Sequence, residues 1–224
     1  MPNVLVTGAS RGIGRGLAAR FAAQGWQVIA CARDPAAIEV AGGAVERHAL
    51  DVTDPASIAG LAAELGGRPL DLLVNNAGIY GPRDTRLGSI DYAAFRTVLE
   101  TNTLGPVRLT EALLSNLRAG ARKTVVTVSS IMGSIAQTQS PGALIYRTSK
   151  AAVNMAMRSI AMELAPEGFT VVLVHPGWVR TDMGGPDATL DVRTSVDGLV
   201  RLIERLRPGD NGRFFGYDGG PLPW

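Results

Sequence analysis

The chain has 224 residues, of which 46% are hydrophobic and 19% charged, which excludes intrinsic disorder and favours one large α/β domain. The formal net charge is +2 and the arginines are scattered, so the sequence shows no electrostatic footprint for nucleic acid. No apolar segment approaches the ~20 residues that a membrane span needs. We therefore expect a cytoplasmic protein with neither nucleic-acid nor membrane partners.

Short apolar runs alternate along the chain with longer segments of helical period. Strands are predicted over 3–7, 26–32, 44–52, 70–76, 123–130 and 169–177, with a candidate last strand in GRFFGYDG (212–219). Helices are predicted over about 10–24, after Asp54, over about 91–118, over about 143–164 and over 196–206. The strands are nearly continuous in Val, Ile and Leu, which is typical of a parallel sheet covered on both faces. This predicts a Rossmann-like, doubly wound α/β fold of about seven strands as a single domain over 1–224.

The segment TGASRGIG (7–14) follows the first strand and opens a helix, where backbone N–H groups can hold phosphates. Gly8 permits the tight turn, Gly12 lets the backbone approach a pyrophosphate, and Gly14 allows close packing of helix on strand. The spacing is G-x-x-x-G-x-G. The candidate phosphate-binding residues of this turn are Gly8, Ser10, Arg11, Gly12, Ile13 and Gly14.

A glycine-rich turn between a strand and a helix predicts a dinucleotide site. The residue at the end of the second strand then indicates whether that dinucleotide is NAD or NADP. Enzymes that use NAD usually carry an acidic residue there, and this place falls at Ala32, which cannot bind a ribose hydroxyl. Arg33, together with Arg11, could pair with a 2′-phosphate. Asp34 is acidic, but before Pro35 it has the pattern of a helix cap. The sequence therefore favours NADP(H).

Further residues bear on adenine binding and on whether the chain could bind a metal ion. Asp51 could accept a hydrogen bond from an adenine amino group, with Val52 packing on the ring, or it could be an ordinary turn residue. Cys31 lies in an apolar run and is expected to be a small buried hydrophobe. With one cysteine and with His48 and His175 on different predicted strands, we predict no metal site.

The segment YRTSK (146–150) keeps a lysine in a chain whose only other lysine is Lys123. Residues four apart on a helix face the same way, so Tyr146 and Lys150 can reach one site. A cation beside a phenol stabilises the phenolate, and we therefore expect a lowered pKa for Tyr146.

These motifs carry a family resemblance. TGASRGIG, NNAG (75–78), the Ser-Ser pair (129–130), YRTSK and HPG (175–177) resemble the successive motifs of the short-chain dehydrogenase/reductase family, in that family's order and over nearly the whole chain. SSIMGSI, YRTSKAAVNMA, HPGWVRTDMGGP and DGGPLPW are most similar to its C-factor and sniffer-like carbonyl reductase branch. The resemblance implies an NADPH-dependent oxidoreductase that transfers a hydride between the nicotinamide and a small carbonyl or alcohol substrate.

The resemblance also implies residue roles. Tyr146 would be the general acid/base, Lys150 would assist it and grip the nicotinamide ribose, and Asn102 would bind a water near the lysine. Ser130 matches the serine that binds the substrate oxygen. Its separation from Tyr146 is longer than usual for the family, which leaves Ser129 and Ser134 as alternatives.

Further cofactor contacts follow from the resemblance. HPGWVRT resembles the segment that clasps the nicotinamide carboxamide, with Val179 through its backbone and Thr181 through its hydroxyl. The paired glycines of the loop near 183–195 could hinge a substrate-side lid, or the loop could be an ordinary surface loop. The remaining candidate cofactor contacts are Asn76, Ala77, Gly78, Pro176 and Gly177.

Three alternatives remain open at this point. The chain could be a nucleotide-binding signalling or regulatory protein of the C-factor type with little turnover. It could be an NAD-dependent alcohol dehydrogenase, which Ala32 and Arg33 disfavour. The two long helices could form a dimer or tetramer, as in many relatives, or the protein could be a monomer.

Overall fold

The computed structural model describes residues 1–224 and contains one seven-stranded parallel sheet. The strands are β1 (Asn3–Thr7), β2 (Gln27–Ala32), β3 (Ala44–Ala49), β4 (Leu72–Asn75), β5 (Thr124–Val128), β6 (Thr170–His175) and β7 (Phe214–Gly216). Their order in the sheet is β3-β2-β1-β4-β5-β6-β7. The direction of winding reverses between β1 and β4, which is where open α/β sheets bind their ligands. The predicted fold class is confirmed.

Helices cover both faces of the sheet. They are α1 (Gly12–Ala23), α2 (Pro55–Leu65), α3 (Tyr92–Leu99), α4 (Gly105–Ala112), α5 (Leu114–Ala119), α6 (Leu144–Leu164) and α7 (Val192–Arg205). Val4 and Val6 belong to a buried cluster with α1 and α7, whereas Leu5 belongs to a second cluster with α2 and α4 to α6. This alternation follows from the two-residue period of a strand. The core therefore consists of two apolar layers separated by the sheet.

The predicted helix over 91–118 is the largest departure from the sequence-based assignment. It is three α-helices, α3 to α5, with a π-helical turn over Glu100–Leu104 between α3 and α4. At this turn the side chain of Asn102 binds the backbone of Ile79, outside the helix. Helix α7 also begins four residues before its predicted start, because the Asp191 side chain accepts a hydrogen bond from the Thr194 amide at 2.7 Å.

Two smaller findings complete the fold. Cys31 is fully buried in the second cluster, as predicted, and burial raises the pKa of its thiol. No helix combines the length and the apolar character that a membrane crossing requires.

Candidate active site

A threonine at the end of β1 joins the two central strands. The Thr7 hydroxyl accepts hydrogen bonds from the backbone amides of Asn76 and Ala77, both at 2.9 Å. The Asn76 side chain donates to the Thr7 carbonyl at 2.8 Å. These bonds hold the NNAG turn against the glycine-rich turn and form the base of a cleft. The sequence reasoning missed Thr7, although a buried hydroxyl directly before Gly8 was a usable signal.

The glycine-rich turn adopts the backbone that its composition predicts. Gly8 and Gly12 have φ of 66° and 53°, in the left-handed region that favours glycine. A side chain at Gly14 would collide with the Gly8 carbonyl oxygen. Helix α1 then begins without a side-chain cap on its first amides. Free first-turn amides above a tight glycine turn suit a bound phosphate.

The structure separates the two arginines proposed for the 2′-phosphate. Arg11 forms an exposed ion pair with Asp182, 2.8 Å apart, on the segment that follows β6. Arg33 is exposed and has no acidic partner. Asp34 accepts a hydrogen bond from the Ala36 amide at 3.0 Å and caps a short 3-10 turn, the role that its sequence context favours. Arg33 is thus the cation left free at the end of β2.

Asp51 and Val52 follow β3 in a tight turn. The amide and hydroxyl of Thr53 both donate to one Asp51 carboxylate oxygen, at 2.9 and 2.7 Å, and hold the pKa of Asp51 below its usual range. Val52 is 8% exposed. The turn role of Asp51 is visible in these bonds, while contact of either residue with an adenine stays a prediction.

Tyr146 and Lys150 face the cleft from α6, and both are buried. The Lys150 ammonium donates to the Val128 carbonyl at 2.9 Å and lies 5.7 Å from the centre of the Tyr146 ring. No carboxylate lies within ion-pair distance of it, and burial lowers the pKa of Lys150 to about 8. The site therefore holds a buried cation that is still mostly protonated at neutral pH.

Of the three candidate serines, the structure brings Ser130 to the tyrosine. The Ser129 hydroxyl donates to the Asn154 side chain, away from the cleft. The Ser134 hydroxyl accepts a hydrogen bond from the Gln137 amide at 3.2 Å. Ser130 lies near the Tyr146 phenol and lowers its pKa, and the Ser130 oxygen accepts a hydrogen bond from the Met132 amide at 3.1 Å.

The pKa of Tyr146 departs from the sequence-based expectation. Burial raises it to about 12, the nearby Ser130 acts in the opposite direction, and Tyr80 raises it further. The expected lowering is therefore wrong for the protein alone, because desolvation of the phenolate outweighs the lowering by Ser130. Tyr146 is consequently a phenol at neutral pH and holds a proton that it can donate.

Tyr80 is a site residue that the sequence reasoning missed. Its ring stacks on Tyr146 with the ring centres 4.5 Å apart and the planes 19° apart. The Arg83 guanidinium lies over the Tyr80 ring, 4.7 Å from its centre, and donates to the Met183 carbonyl at 2.6 Å. The available signal was an aromatic residue two positions after NNAG. This stack connects the loop after β4 to the face of the phenol.

Asn102 joins β4 to α6 from within the π-helical turn. Its side-chain amide donates to the Ile79 carbonyl at 2.8 Å and to the Ser149 hydroxyl at 3.0 Å, and its oxygen accepts from the Ile79 amide at 2.9 Å. Ser149 in turn donates to the Tyr146 carbonyl at 2.8 Å. A Cβ at Gly78 would lie 3.2 Å from the Asn102 oxygen and 3.6 Å from the Lys150 nitrogen. Asn102 is therefore within the site, and both of its side-chain N–H donors are used.

The segment after β6 packs against the glycine-rich turn. Pro176 and Gly177 end the strand, and Gly177 has a φ of 86°. The Thr181 hydroxyl accepts from the Gly184 amide at 3.2 Å. The Thr181 methyl group lies beside Gly12, where a Cβ would approach it to 3.2 Å.

Two contacts hold the base of the loop near 183–195. The Trp178 indole donates to the Gly184 carbonyl at 2.9 Å. Val179 forms a β-bridge with Leu190. The loop is thus tied at both of its ends, and its opening as a lid stays a prediction.

The chain is similar to known proteins in sequence and in overall structure. The family model for short chain dehydrogenases matches residues 2–189. C-signal of Myxococcus xanthus is 53% identical over 156 residues, 70% of this chain and 93% of that protein. The structure of a carbonyl reductase from Pseudomonas aeruginosa PAO1 in complex with NADP is 39% identical, with a TM-score of 0.88 over 100% of both chains. The carbonyl reductase Sniffer of D. melanogaster is 32% identical, with a TM-score of 0.88 over 100% of both chains.

The resemblance to the C-factor and sniffer-like branch is confirmed by these relatives. The matched residues include those that build the cleft, from the glycine-rich turn to the segment after β6. The chain therefore belongs to the short-chain dehydrogenase family of oxidoreductases.

Proposed function

We propose that the protein is an NADPH-dependent carbonyl reductase that acts on small or medium ketones, aldehydes or quinones. The observation that carries this proposal is a buried, protonated Tyr146 that lies near Ser130, with the Lys150 ammonium 5.7 Å from the centre of its ring. The complex of the Pseudomonas aeruginosa carbonyl reductase with NADP supports the choice of cofactor.

The residues of the cleft fit a phosphorylated dinucleotide. The turn at Gly8 and Gly12 leaves amides free at the start of α1, and Arg33 is free to pair with a 2′-phosphate. The Lys150 ammonium has three N–H donors and only one protein acceptor, the Val128 carbonyl. Two donors thus remain for the hydroxyls of a ribose.

The chain's own groups perform the proton transfer. NADPH, when bound, supplies the hydride that the carbonyl carbon accepts. Tyr146 donates its phenolic proton to the carbonyl oxygen, and the Ser130 hydroxyl donates a hydrogen bond to the same oxygen. The charge of Lys150 stabilises the phenolate that results. Asn102 holds α6 and the end of β4 together while the proton moves.

The first test is NADPH oxidation with a panel of carbonyl compounds, for the unmodified protein and for Tyr146→Phe. We expect turnover to fall by about 10²–10⁴-fold, the usual contribution of a general acid, while NADPH binding measured by fluorescence is retained. Turnover by the variant that equals that of the unmodified protein would contradict the role of Tyr146.

The second test concerns the cofactor. Arg33→Asp removes the free cation at the end of β2 and places there the acidic residue that NAD enzymes carry. We expect the ratio of NADPH to NADH affinity to fall by about tenfold or more, since a charge-assisted bond to phosphate is lost. An unchanged ratio would show that other groups select the cofactor.

The identity with C-signal favours a second candidate, a nucleotide-binding regulatory protein with little turnover. A binding module needs the glycine-rich turn but has no need for the Ser130–Tyr146–Lys150 arrangement, so the site supports the enzyme better. Tight NADPH binding without turnover of any carbonyl in the first test would support the regulatory protein.

A further inference from the structure

A groove of about 910 Å³ lies beside the candidate active site. Its walls come from three segments: the loop over 83–87 after β4, the loop over 132–142 after β5, and the face of α6 that carries Leu144, Arg147, Thr148 and Ala151. Its volume is within the roughly 300–1,000 Å³ of typical small-molecule sites. Because both loops follow carboxyl ends of central strands, the groove is at the ligand-binding edge of the sheet.

The groove carries an excess of unpaired positive charge. Arg83, Arg86 and Arg147 line it, and none of them forms an ion pair with a carboxylate. Asp84 is the only acidic residue in the lining, and it also has no ion-pair partner. Arg147 uses only its Nε, which donates to the Gly142 carbonyl at 3.2 Å.

Apolar side chains lie beside these arginines. Leu87 is 93% exposed, Ile135 is 78% exposed and Leu144 is 39% exposed, and all three line the groove. Large aliphatic side chains gathered in one concave surface are typical of a binding groove. The combination of an aliphatic wall with unpaired guanidinium groups is complementary to a molecule that has both a hydrocarbon chain and a carboxylate.

The groove adjoins the reacting groups, although Tyr146, Ser130 and Lys150 do not line it. Arg147 directly follows Tyr146 on α6, and Met132, another lining residue, donates its amide to the Ser130 hydroxyl. Arg83 stacks on Tyr80, which stacks on Tyr146. A substrate whose carbonyl oxygen contacts Tyr146 and Ser130 would therefore have its remaining atoms next to the groove.

We propose that this groove binds the carboxylate-bearing chain of the substrate, so that the preferred substrates are oxo acids in which an aliphatic chain separates the carbonyl from the carboxylate. This inference rests on the proposed carbonyl reductase activity. The hydride still goes to the carbonyl carbon and the Tyr146 proton to its oxygen, and the carboxylate takes no part in the chemistry.

The test compares medium-chain ω-oxo acids of increasing length with their methyl esters, which have the same carbonyl and no charge. The measurement is the ratio of kcat/KM for acid to that for ester. We expect a ratio of about ten at low salt for the best chain length, falling towards one as added salt screens the exposed arginines. Equal values for acids and esters at every length would overturn the inference, while turnover of the esters would still support the reductase.

Arginine variants locate the carboxylate. We expect Arg86→Gln and Arg147→Gln each to lower the acid-to-ester ratio about threefold, and the double variant to bring it close to one. Arg201→Gln is the matched control, because Arg201 is also exposed and without an ion pair but lies on α7. Arg86 has no side-chain hydrogen bond, so its removal leaves the fold intact even where Arg147→Gln does not.

The outcomes separate the two proposals. Loss of turnover on all acids and esters, with NADPH still bound, would overturn the reductase and this inference together. A ratio that stays at ten in the double variant, or falls equally in Arg201→Gln, would overturn the groove as the carboxylate site alone.

Discussion

The two faces of α6 differ in the exposure of their positive charge: one carries a buried lysine and the other a partly exposed arginine. Lys150 is 5% exposed, donates to one backbone carbonyl and has no carboxylate partner. Arg147, three residues earlier, is partly exposed and lines the groove. A buried cation without a counter-charge lowers the stability of the fold and is retained where chemistry needs it. An exposed arginine changes stability little and remains adaptable to a ligand.

This contrast suggests that the two faces of α6 have different functions. The face with Tyr146 and Lys150 is fixed by the bonds from Lys150 to Val128 and from Asn102 to Ser149, and it is shielded from water. The face with Arg147 has no comparable set of bonds to the rest of the protein. We therefore expect changes on the buried face to alter turnover or folding, and changes on the groove face to alter the choice of substrate.

Among the changes that test this contrast, the largest expected effect belongs to Lys150→Met. Turnover should fall by about 10²–10³-fold, the range for removal of one preorganised electrostatic group, since the phenolate of Tyr146 loses its stabilising charge. In the unmodified enzyme, carbonyl reduction should also decline above pH 8, where Lys150, with a pKa of about 8, loses its proton. A pH–rate profile of kcat checks this. A flat profile from pH 7 to pH 10 would contradict the claim that turnover needs the buried charge of Lys150.

The same variant should make the protein more stable. The pKa of Lys150 is about 8 in the folded state and 10.5 as a free side chain, so the unfolded chain binds more protons between these values. The stability of the unmodified protein therefore rises with pH over this interval. Below pH 8, we expect Lys150→Met to raise the free energy of unfolding by roughly 1–3 kcal/mol. Urea titrations at pH 7 and pH 10 check that the difference in free energy of unfolding between the variant and the unmodified protein narrows as the pH rises. Above pH 10, Tyr146, with its pKa raised to about 12, lowers the stability of both proteins as the pH rises.

An intermediate effect is expected from Gly133→Ala, which tests the packing behind the buried face. A Cβ at Gly133 would lie 2.7 Å from backbone and side-chain atoms of Lys150. We expect a loss of about 1–3 kcal/mol in the free energy of unfolding, as for other overpacked sites. Gly60→Ala is the matched control, because the space around Gly60 in α2 is open and alanine favours a helix. Equal effects of the two changes would show that the contact at Lys150 is not tight.

The smallest effect is expected from Tyr80→Leu, which removes the ring stacked on Tyr146. Aromatic pairs contribute roughly 0.5–1.5 kcal/mol beyond burial, so kcat/KM should fall about two- to tenfold. Tyr80→Phe keeps the stack and should restore most of the loss. If Phe and Leu reduce kcat/KM equally, the hydroxyl of Tyr80 is the important group and the stacking argument fails.

Features set by local sequence were predictable. The runs NVLVT and TVVLVH lie in β1 and β6 because β-branched and aliphatic residues suit strands that are buried on both faces. Gly8 and Gly12 adopt the positive φ for which glycine is suited. The facing of Tyr146 and Lys150 follows from helical spacing alone.

Features set by distant partners were not predictable. The choice of Ser130 over Ser129 and Ser134 depends on contacts with Tyr146, Asn154 and Gln137, none of which the local sequence reveals. The direction of the Tyr146 pKa depends on burial, which spacing does not measure. The groove combines two loops and a helix face that are separated in the chain, so its charge becomes visible only once they are folded together.

The π-helical turn over Glu100–Leu104 has a consequence for protein engineering. A π-turn has one residue more per hydrogen-bonded turn than an α-turn, so a single deletion there could be absorbed as a regular, better-bonded helix. That shortened helix would rotate Asn102 away from Ile79 and Ser149 and disconnect the end of β4 from α6. Deletion scanning at this turn should therefore yield proteins that fold well and turn over poorly, a combination that point substitutions in a packed core rarely produce.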